Sequence, residues 1–353
     1  MRFSAEHLPA DPASSQPARV CLRDTEGDKL TVTITPSLGC DISSLTYGGK
    51  ELLHRGGDFS PPTAGSWVGK APLLFPAVGR QAGATYADEA TGVVRGMPTH
   101  GFGSELPFLL SCLSGDDFGA SATFTVTYRD VSGAAAAAFP YPWRLVIRAD
   151  VAGNQLQLTH TIDNIGPPDG PRFPVAIGNH ITLRFPFDGT GLAIWKQGRI
   201  RSSAARELVL TPGSLLSGEV TPRPEFASCE GLPLSDPLAT NGVVADAPAG
   251  TGAASCESVS WMTVSQPGAL AVRVRHACSD DSVPRRFVLW GESPANDFVP
   301  GFICPEPWLT DGPDSLNFPS SKGTPVLCPG QSIVWTMTVD VTQDTLRPEA
   351  RSP

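Results

Sequence analysis

Glu306 is a single carboxylate held between Pro305 and Pro307, with Trp308 close behind it. Each proline fixes its own φ and restricts the residue before it, so the backbone around Glu306 has little freedom. A rigidly placed carboxylate suits a general base, because proton transfer needs a defined hydrogen-bond distance. Trp308 adds a flat apolar ring face with one N–H donor, onto which a sugar ring can pack. The same stretch, 302–308, is also compatible with a Pro-rich turn carrying a solvated Glu and a core Trp.

Three further side chains could take part in such chemistry: His180 at the end of an apolar run, and His100 and Arg80 in Gly-rich loops. Histidine can give and take a proton near neutral pH, and the arginine fork donates to adjacent oxygens. The glycines around His100 and Arg80 permit the close backbone approach that a ligand site uses. Each side chain also has a purely structural interpretation. His180 would be a core histidine bonded to backbone, His100 a satisfied loop histidine and Arg80 a surface cation.

The elements that must position these residues read as strands. The chain has 353 residues, 41% of them hydrophobic, and its 36 glycines and 35 prolines favour many strands joined by turns. Alternation of apolar and polar residues is clearest in Leu30–Thr35. The predicted strands are Arg19–Asp24, Leu30–Thr35, Asp41–Tyr47, Ala122–Arg129, Arg144–Asp150, Gln155–Asp163, Val259–Ser265, Leu270–His276, Arg286–Gly291 and Ser332–Val341.

The domain organisation is predicted to be simple. Residues 1–18 read as a loose polar arm, 19–345 as one β-rich domain and 346–353 as a tail, since no repeat or linker divides the chain. The alanine run 134–138 is too short and too near Pro140 to predict a helix. Residues 203–208 read as one possible helical turn.

Charge and cysteine content exclude several classes of function. The net charge of −9 and the lack of basic runs argue against nucleic acid and acidic membranes as partners, and favour a neutral substrate. The eight cysteines are scattered without a metal-ligand spacing, so neither a disulfide scaffold nor a metal site is indicated. No signal peptide or membrane span is recognisable, and a reducing, cytoplasmic location is expected.

Four stretches taken in order resemble the aldose 1-epimerase (galactose mutarotase) family. They are Ala71–Arg80, Met97–Phe102, Gly178–His180 and Cys304–Trp308. The resemblance implies a large antiparallel β-sandwich with a sugar groove on one sheet. It also implies interconversion of the α and β anomers of a free aldose without metal or organic cofactor.

The resemblance further assigns roles to the residues quoted. Glu306 is expected to be the general base that removes the anomeric hydroxyl proton, and His180 the general acid that protonates the ring oxygen. Arg80 and His100 are expected to bind sugar oxygens, with Trp308 as a further substrate-binding residue. A carboxylate and an imidazole suit this chemistry, because one must be ionised and the other able to donate near pH 7.

The chain departs from the family pattern in two places. No aspartate in 233–242 matches an acidic sugar-binding residue, and Ile181-Thr182-Leu183 follows His180 where family members carry proline and an aromatic residue. Substrate identity therefore stays open at the level of sequence. One alternative is a hexose-6-phosphate epimerase, which would need cations such as Arg80, Arg95 and Lys70 around a phosphate. Another is a sugar-binding protein without catalysis.

Overall fold

The computed structural model describes residues 1–26, 29–60, 67, 69–88, 91–246, 259–310, 312–317 and 323–344. Strands, numbered β1 to β26 along the chain, dominate these ranges and pair in antiparallel ladders. The α-helices of the described residues are two short ones, α1 (Gly133–Ala138) and α2 (Leu192–Trp195). The prediction of an all-β fold is confirmed.

A five-stranded sheet is formed by the N-terminal residues. Its order follows the chain: β1 (Phe3–Leu8), β2 (Arg19–Asp24), β3 (Leu30–Thr35), β4 (Asp41–Tyr47) and β5 (Lys50–Glu51). The expected loose arm is thus wrong for Phe3–Leu8, which pair along their whole length with β2. The physical reason is the side chain of Phe3, which is buried in the hydrophobic core and anchors the first strand.

The largest sheet has nine strands. In spatial order they are β19 (Leu232–Pro233), β16 (Arg199–Ser202), β21 (Ser260–Ser265), β22 (Leu270–Cys278), β26 (Ser332–Gln343), β12 (Gln155–Asn164), β11 (Trp143–Ala152), β10 (Ala120–Thr127) and β9 (Leu109–Gly115). Burial alternates along β22, where Val272 and Val274 are fully buried while Arg273 is exposed. This alternation gives the sheet one face toward the core and one toward water.

The sheet that carries Gly178, Asn179 and the stretch Cys304–Trp308 has eight strands. They are β18 (Leu216–Pro222), β17 (Ala204–Leu210), β20 (Asn241–Asp246), β23 (Arg285–Glu292), β24 (Gly301–Leu309), β14 (Ile177–Asn179) and β6 (Leu73–Leu74) in spatial order, with β15 (Leu183–Phe185) also on β24. Two small ladders complete the fold: β7 (Thr85–Ala87) with β8 (Val94–Gly96), and β13 (Phe173–Pro174) with β25 (Val326–Leu327).

The nine- and eight-stranded sheets pack face to face as a sandwich, and β22 lies against β24 across the core. His276 of β22 meets the ring of Phe287 of β23 edge-on at 4.8 Å between centroids. Phe287 pairs with Pro307, and Val288 pairs with Glu306. Since side chains alternate along a strand, Glu306 lies on the opposite, outer face of the eight-stranded sheet.

Two local predictions are corrected by the structure. The proposed helical turn over 203–208 is wrong: residues 204–208 belong to β17, which has strand neighbours β18 and β20 on both sides. This pairing overrides the weak helix preference of the segment. The alanine run does form a short helix, α1, which ends with a hydrogen bond from Phe139 N–H to Ala135 O before Pro140.

The expected single domain over 19–345 stays a prediction, and the tail 346–353 lies outside the described residues. No helix among the described residues has the length and apolar character needed to cross a membrane.

Candidate active site

The pairing of β24 explains how His180 comes to lie beside Glu306. One edge of β24 pairs with β14 at Trp308 and with β15 at Ile303, so residues 180–182 bridge the two short strands alongside 304–307. The prolines at 305 and 307 have no N–H, so they cannot donate to a neighbouring strand at this point. The gap in the ladder leaves room for side chains instead of backbone pairing. His180 fills it.

Glu306 and His180 form a buried contact. The distance from His180 Nε2 to Glu306 Oε1 is 3.3 Å, and the side chains are 4% and 2% exposed. The other carboxylate oxygen, Oε2, accepts a hydrogen bond from the indole Nε1–H of Trp308 at 3.1 Å. Glu306 is therefore held from both sides, as a positioned base requires.

Burial disfavours the charged form of both Glu306 and His180. Desolvation raises the pKa of the Glu306 carboxyl well above its usual value, although the bond from Trp308 opposes this. Desolvation also lowers the pKa of His180, to about 4. Each shift disfavours a charged form, so a single proton held between Oε1 and Nε2 suits the pair best, and the two groups titrate as one unit.

His100 approaches the same point from a loop and has a defined tautomer. Its ring Nδ1 accepts a hydrogen bond from the backbone N–H of Gly79 at 3.1 Å, and the backbone N–H of His100 donates to Gly79 O at 3.0 Å. An amide nitrogen can only donate, so the neutral ring must carry its proton on Nε2. Burial and the nearby His180 lower the pKa of His100 well below its usual value, which keeps the ring neutral. His100 thus offers one N–H donor.

Glycines fix the loop that presents His100. Gly101 has φ +68°, and a Cβ there would lie 2.3 Å from the carbonyl oxygen of Phe75. Only glycine accepts both this conformation and this approach. His100 itself has φ +65°, an uncommon value for a residue with a side chain.

One atom from each of His100, His180 and Glu306 lies within 4.8 Å of the others, a spacing that a metal ion could use. The chemistry of the donors fits poorly. Because the Gly79 amide occupies Nδ1 of His100 and the proton sits on Nε2, neither ring nitrogen offers a free lone pair to a cation. The cluster suits proton transfer better than metal binding.

The structure brings together four of the five residues singled out in the sequence: Glu306, His180, His100 and Trp308. Arg80 follows Gly79 in the chain and has an exposed side chain, which makes no hydrogen bond or ion pair in the described part of the chain. Its backbone carbonyl accepts a hydrogen bond from Asp314 N–H at 2.7 Å. The expected contact of Arg80 with a ligand therefore stays a prediction.

Aromatic rings that the sequence analysis did not assign surround the cluster. Trp67 lies 4.9 Å from His100 and 6.4 Å from His180, and Trp290 lies 5.5 Å from His180, between ring centroids. Trp290 of β23 pairs directly with Cys304, two residues from Glu306. Only the register between β23 and β24 reveals this neighbour, so spacing along the chain could not have found it.

No family model and no curated protein matches the sequence. Solved structures do match over nearly the whole chain. A galactose mutarotase-like protein from Clostridium acetobutylicum is 15% identical with a TM-score of 0.73, covering 97% of this chain and 99% of its own. A galactose mutarotase-like protein from Lactobacillus casei is 19% identical with a TM-score of 0.67, covering 92% and 100%.

A galactose 1-epimerase from Lactobacillus acidophilus is 10% identical with a TM-score of 0.66, covering 97% of this chain and 99% of its own. At these identities the likeness concerns the backbone. The topology and the coverage agree with the expectation from the four motifs. This chain has the galactose mutarotase-like fold.

Proposed function

We propose that this protein is an aldose 1-epimerase that interconverts the α and β anomers of an unphosphorylated aldose. The observation that carries the proposal is the buried contact between His180 Nε2 and Glu306 Oε1 on the outer face of the eight-stranded sheet. A carboxyl and an imidazole that hold one proton between them can act as base and acid on neighbouring atoms. The anomeric and ring oxygens of an aldose are such neighbours, because both are bonded to C1.

The reaction follows from the positions of these groups. The Glu306 carboxylate takes the proton of the anomeric hydroxyl, and the oxygen's electrons form the C1 carbonyl. The C1–O5 bond breaks, and O5 takes the proton of the His180 imidazolium. The open-chain aldehyde turns about C1–C2. His180 then recovers the proton from O5 as O5 attacks the other face of C1, and Glu306 returns its proton to the anomeric oxygen.

The other site residues support this step. Trp308 donates to Glu306 and so stabilises the carboxylate form of the base. His100, neutral with its proton on Nε2, supplies a donor for a sugar oxygen or for the charge that develops during ring opening. The rings of Trp67 and Trp290 give the cluster apolar walls suited to the C–H faces of a sugar.

Two of the three cations considered for a phosphate, Lys70 and Arg95, are engaged elsewhere. Lys70 is buried, with its Nζ 3.2 Å from Asp41 Oδ2 and donating to Ser60 O at 2.7 Å. Arg95 lies 3.9 Å from Asp88 and donates to Ala137 O. A buried cation that is already paired gains little by leaving its partner. These contacts favour a neutral sugar over a sugar phosphate.

The test is polarimetry of freshly dissolved α-D-glucose, α-D-galactose and α-D-glucose 6-phosphate, each with and without the protein. We expect faster approach to anomeric equilibrium with at least one neutral sugar and a smaller effect on the phosphate ester. If only the phosphate ester reached anomeric equilibrium faster, the substrate would be a hexose phosphate. If the protein bound a sugar without accelerating the exchange of its anomers, it would be a sugar-binding protein and not an epimerase.

A further inference from the structure

A second polar cluster lies behind His180, on the side away from Glu306. The Thr182 hydroxyl oxygen is 3.4 Å from His180 Nδ1 and donates to the carbonyl oxygen of His180 at 3.2 Å. The Cys304 thiol donates to the same hydroxyl oxygen at 3.4 Å. Thr182 and Cys304 are fully buried. Water therefore does not complete these contacts.

The hydrogen-bonding capacity of Thr182 decides where the protons lie. A hydroxyl has one proton and two lone pairs. Its proton lies toward the carbonyl oxygen of His180, to which the hydroxyl donates at 3.2 Å. One lone pair accepts from Cys304, whose thiol stays protonated because burial raises its pKa well above the usual value.

The remaining lone pair of Thr182 faces Nδ1 of His180 and calls for an N–H donor there. Nδ1 then carries a proton in both the neutral ring and the imidazolium. The proton that comes and goes is confined to Nε2, the nitrogen that faces Glu306. With the opposite tautomer, Nε2 would hold its proton permanently and could not accept one back from a sugar oxygen.

We propose that Thr182 is a positioning residue for the acid–base step, which keeps the proton of His180 on Nδ1 and leaves Nε2 as the exchanging nitrogen. Cys304 orients the hydroxyl by donating to it. The kinetic part of this inference rests on the proposed epimerase function, and the proton assignment does not. Thr182 lies in the segment 181–183, where the chain departs from the pattern of the family it resembles.

The interaction favours the imidazolium over the neutral ring. A hydrogen bond from a charged N–H is roughly twice as strong as one from a neutral N–H, so removing the acceptor destabilises the charged form more. In the described part of the chain, the titratable groups that contact or face His180 are Glu306, Cys304 and His100. None of these three groups is a hydrogen-bond partner of His180 Nδ1.

The experiment compares Thr182→Val, which keeps the shape and removes the hydroxyl, with Thr182→Ser, which restores the hydroxyl. Histidine ¹⁵N chemical shifts at neutral pH report which ring nitrogen of His180 is protonated. We expect Nδ1–H in the parent and in Thr182→Ser, and a shift toward Nε2–H in Thr182→Val. We also expect kcat for anomer exchange to fall about 10–100-fold in Thr182→Val with KM little changed, as for other outer hydrogen-bond partners of a reactive histidine.

The pH dependence separates positioning from a loss of packing. Thr182→Val destabilises the imidazolium, which the pair forms when it takes up a second proton at low pH. The acid limb of the kcat profile should therefore move to lower pH, and Thr182→Ser should restore it. Thr35→Val is the matched control. Thr35 is fully buried in the five-stranded sheet and its hydroxyl bonds to Ser43 at 2.7 Å, so its loss costs similar stability without removing a bond to His180. It should leave the profile in place.

Two outcomes would overturn the proposal. One is a parent protein whose His180 is protonated on Nε2 alone, which the shifts of the unmutated chain report even if Thr182→Val does not fold. The other is a Thr182→Val variant with the parental tautomer and profile. A parent without epimerase activity would end the proposed function instead, and the shifts alone would then decide the proton assignment.

Discussion

At the scale of single residues, Trp308 is the group that would keep Glu306 usable as the base of the proposed reaction. Burial drives the carboxyl toward its protonated form, and the indole N–H opposes this by bonding to Oε2. From the sequence, Trp308 was expected to contact substrate. In the structure its indole N–H also donates to Glu306, the proposed base.

Trp308→Phe therefore has a defined effect on pH dependence. Without the indole donor the Glu306 carboxylate is less stable, so the carboxyl takes up a proton at higher pH. Glu306 has the higher pKa of the pair, so loss of its proton sets the high-pH limb of the rate profile. We expect this limb to move up by roughly one pH unit, the value of one hydrogen bond to a charged group. The profile of anomer exchange against pH measures it.

The control for this variant is Trp290→Phe. Trp290 packs on His180 at 5.5 Å between ring centroids and makes no hydrogen bond to Glu306. Its replacement changes an aromatic wall of the same cluster and leaves the donor to Glu306 in place. A high-pH limb that moved equally in both variants would contradict the role given to the indole N–H.

At the scale of elements, the loop around Gly79 connects His100 to Trp308. Gly79 has φ +61°, exchanges two hydrogen bonds with His100, and a Cβ there would lie 2.9 Å from Cη2 of Trp308. Gly79→Ala should displace the ring of Trp308 and, through the loop, His100. We expect anomer exchange to fall at least about 10-fold, since small misplacements of catalytic groups are costly, together with a lower melting temperature.

Gly153→Ala separates backbone strain from this contact. Gly153 has the same φ of +61° in the turn between β11 and β12, and nothing lies within 4 Å of a Cβ placed there. Both variants bear the strain of a left-handed alanine, about 1–2 kcal/mol. Activity lost to the same extent in both would show that strain, and not the contact with Trp308, is responsible.

Strand prediction succeeded where one face of a strand is buried and the other is not. β3 runs over Leu30–Thr35, the bounds predicted from its alternating pattern. β17 was mistaken for a helical turn because its residues favour helices, and only its neighbours β18 and β20 make it a strand. β1 was not predicted because only one of its side chains, that of Phe3, is buried, so the segment lacks an alternating apolar pattern.

At the scale of the whole molecule, the sequence predicted the fold and singled out three residues that the structure brings together in the candidate site, Glu306, His180 and His100. His100, His180 and Glu306 are spread over about 200 positions of the chain, and each lies in a short motif whose glycines or prolines constrain the backbone. Thr182 lies in no such motif, and the motif that contains Cys304 does not reveal its contact with Thr182. Their role depends on the register of β24 with β14 and β15, which tertiary pairing alone creates.

The most direct test of the account is the rate of anomer exchange at equilibrium, measured by saturation transfer between the α and β anomeric protons, in the parent and in Glu306→Gln. The glutamine amide can accept from Trp308 and donate to His180, so the fold and the melting temperature should be kept. It cannot take a proton, and we expect the catalysed rate to fall about 10²–10⁴-fold. A folded Glu306→Gln variant that exchanges anomers at the parental rate would contradict the assignment of Glu306 as the base.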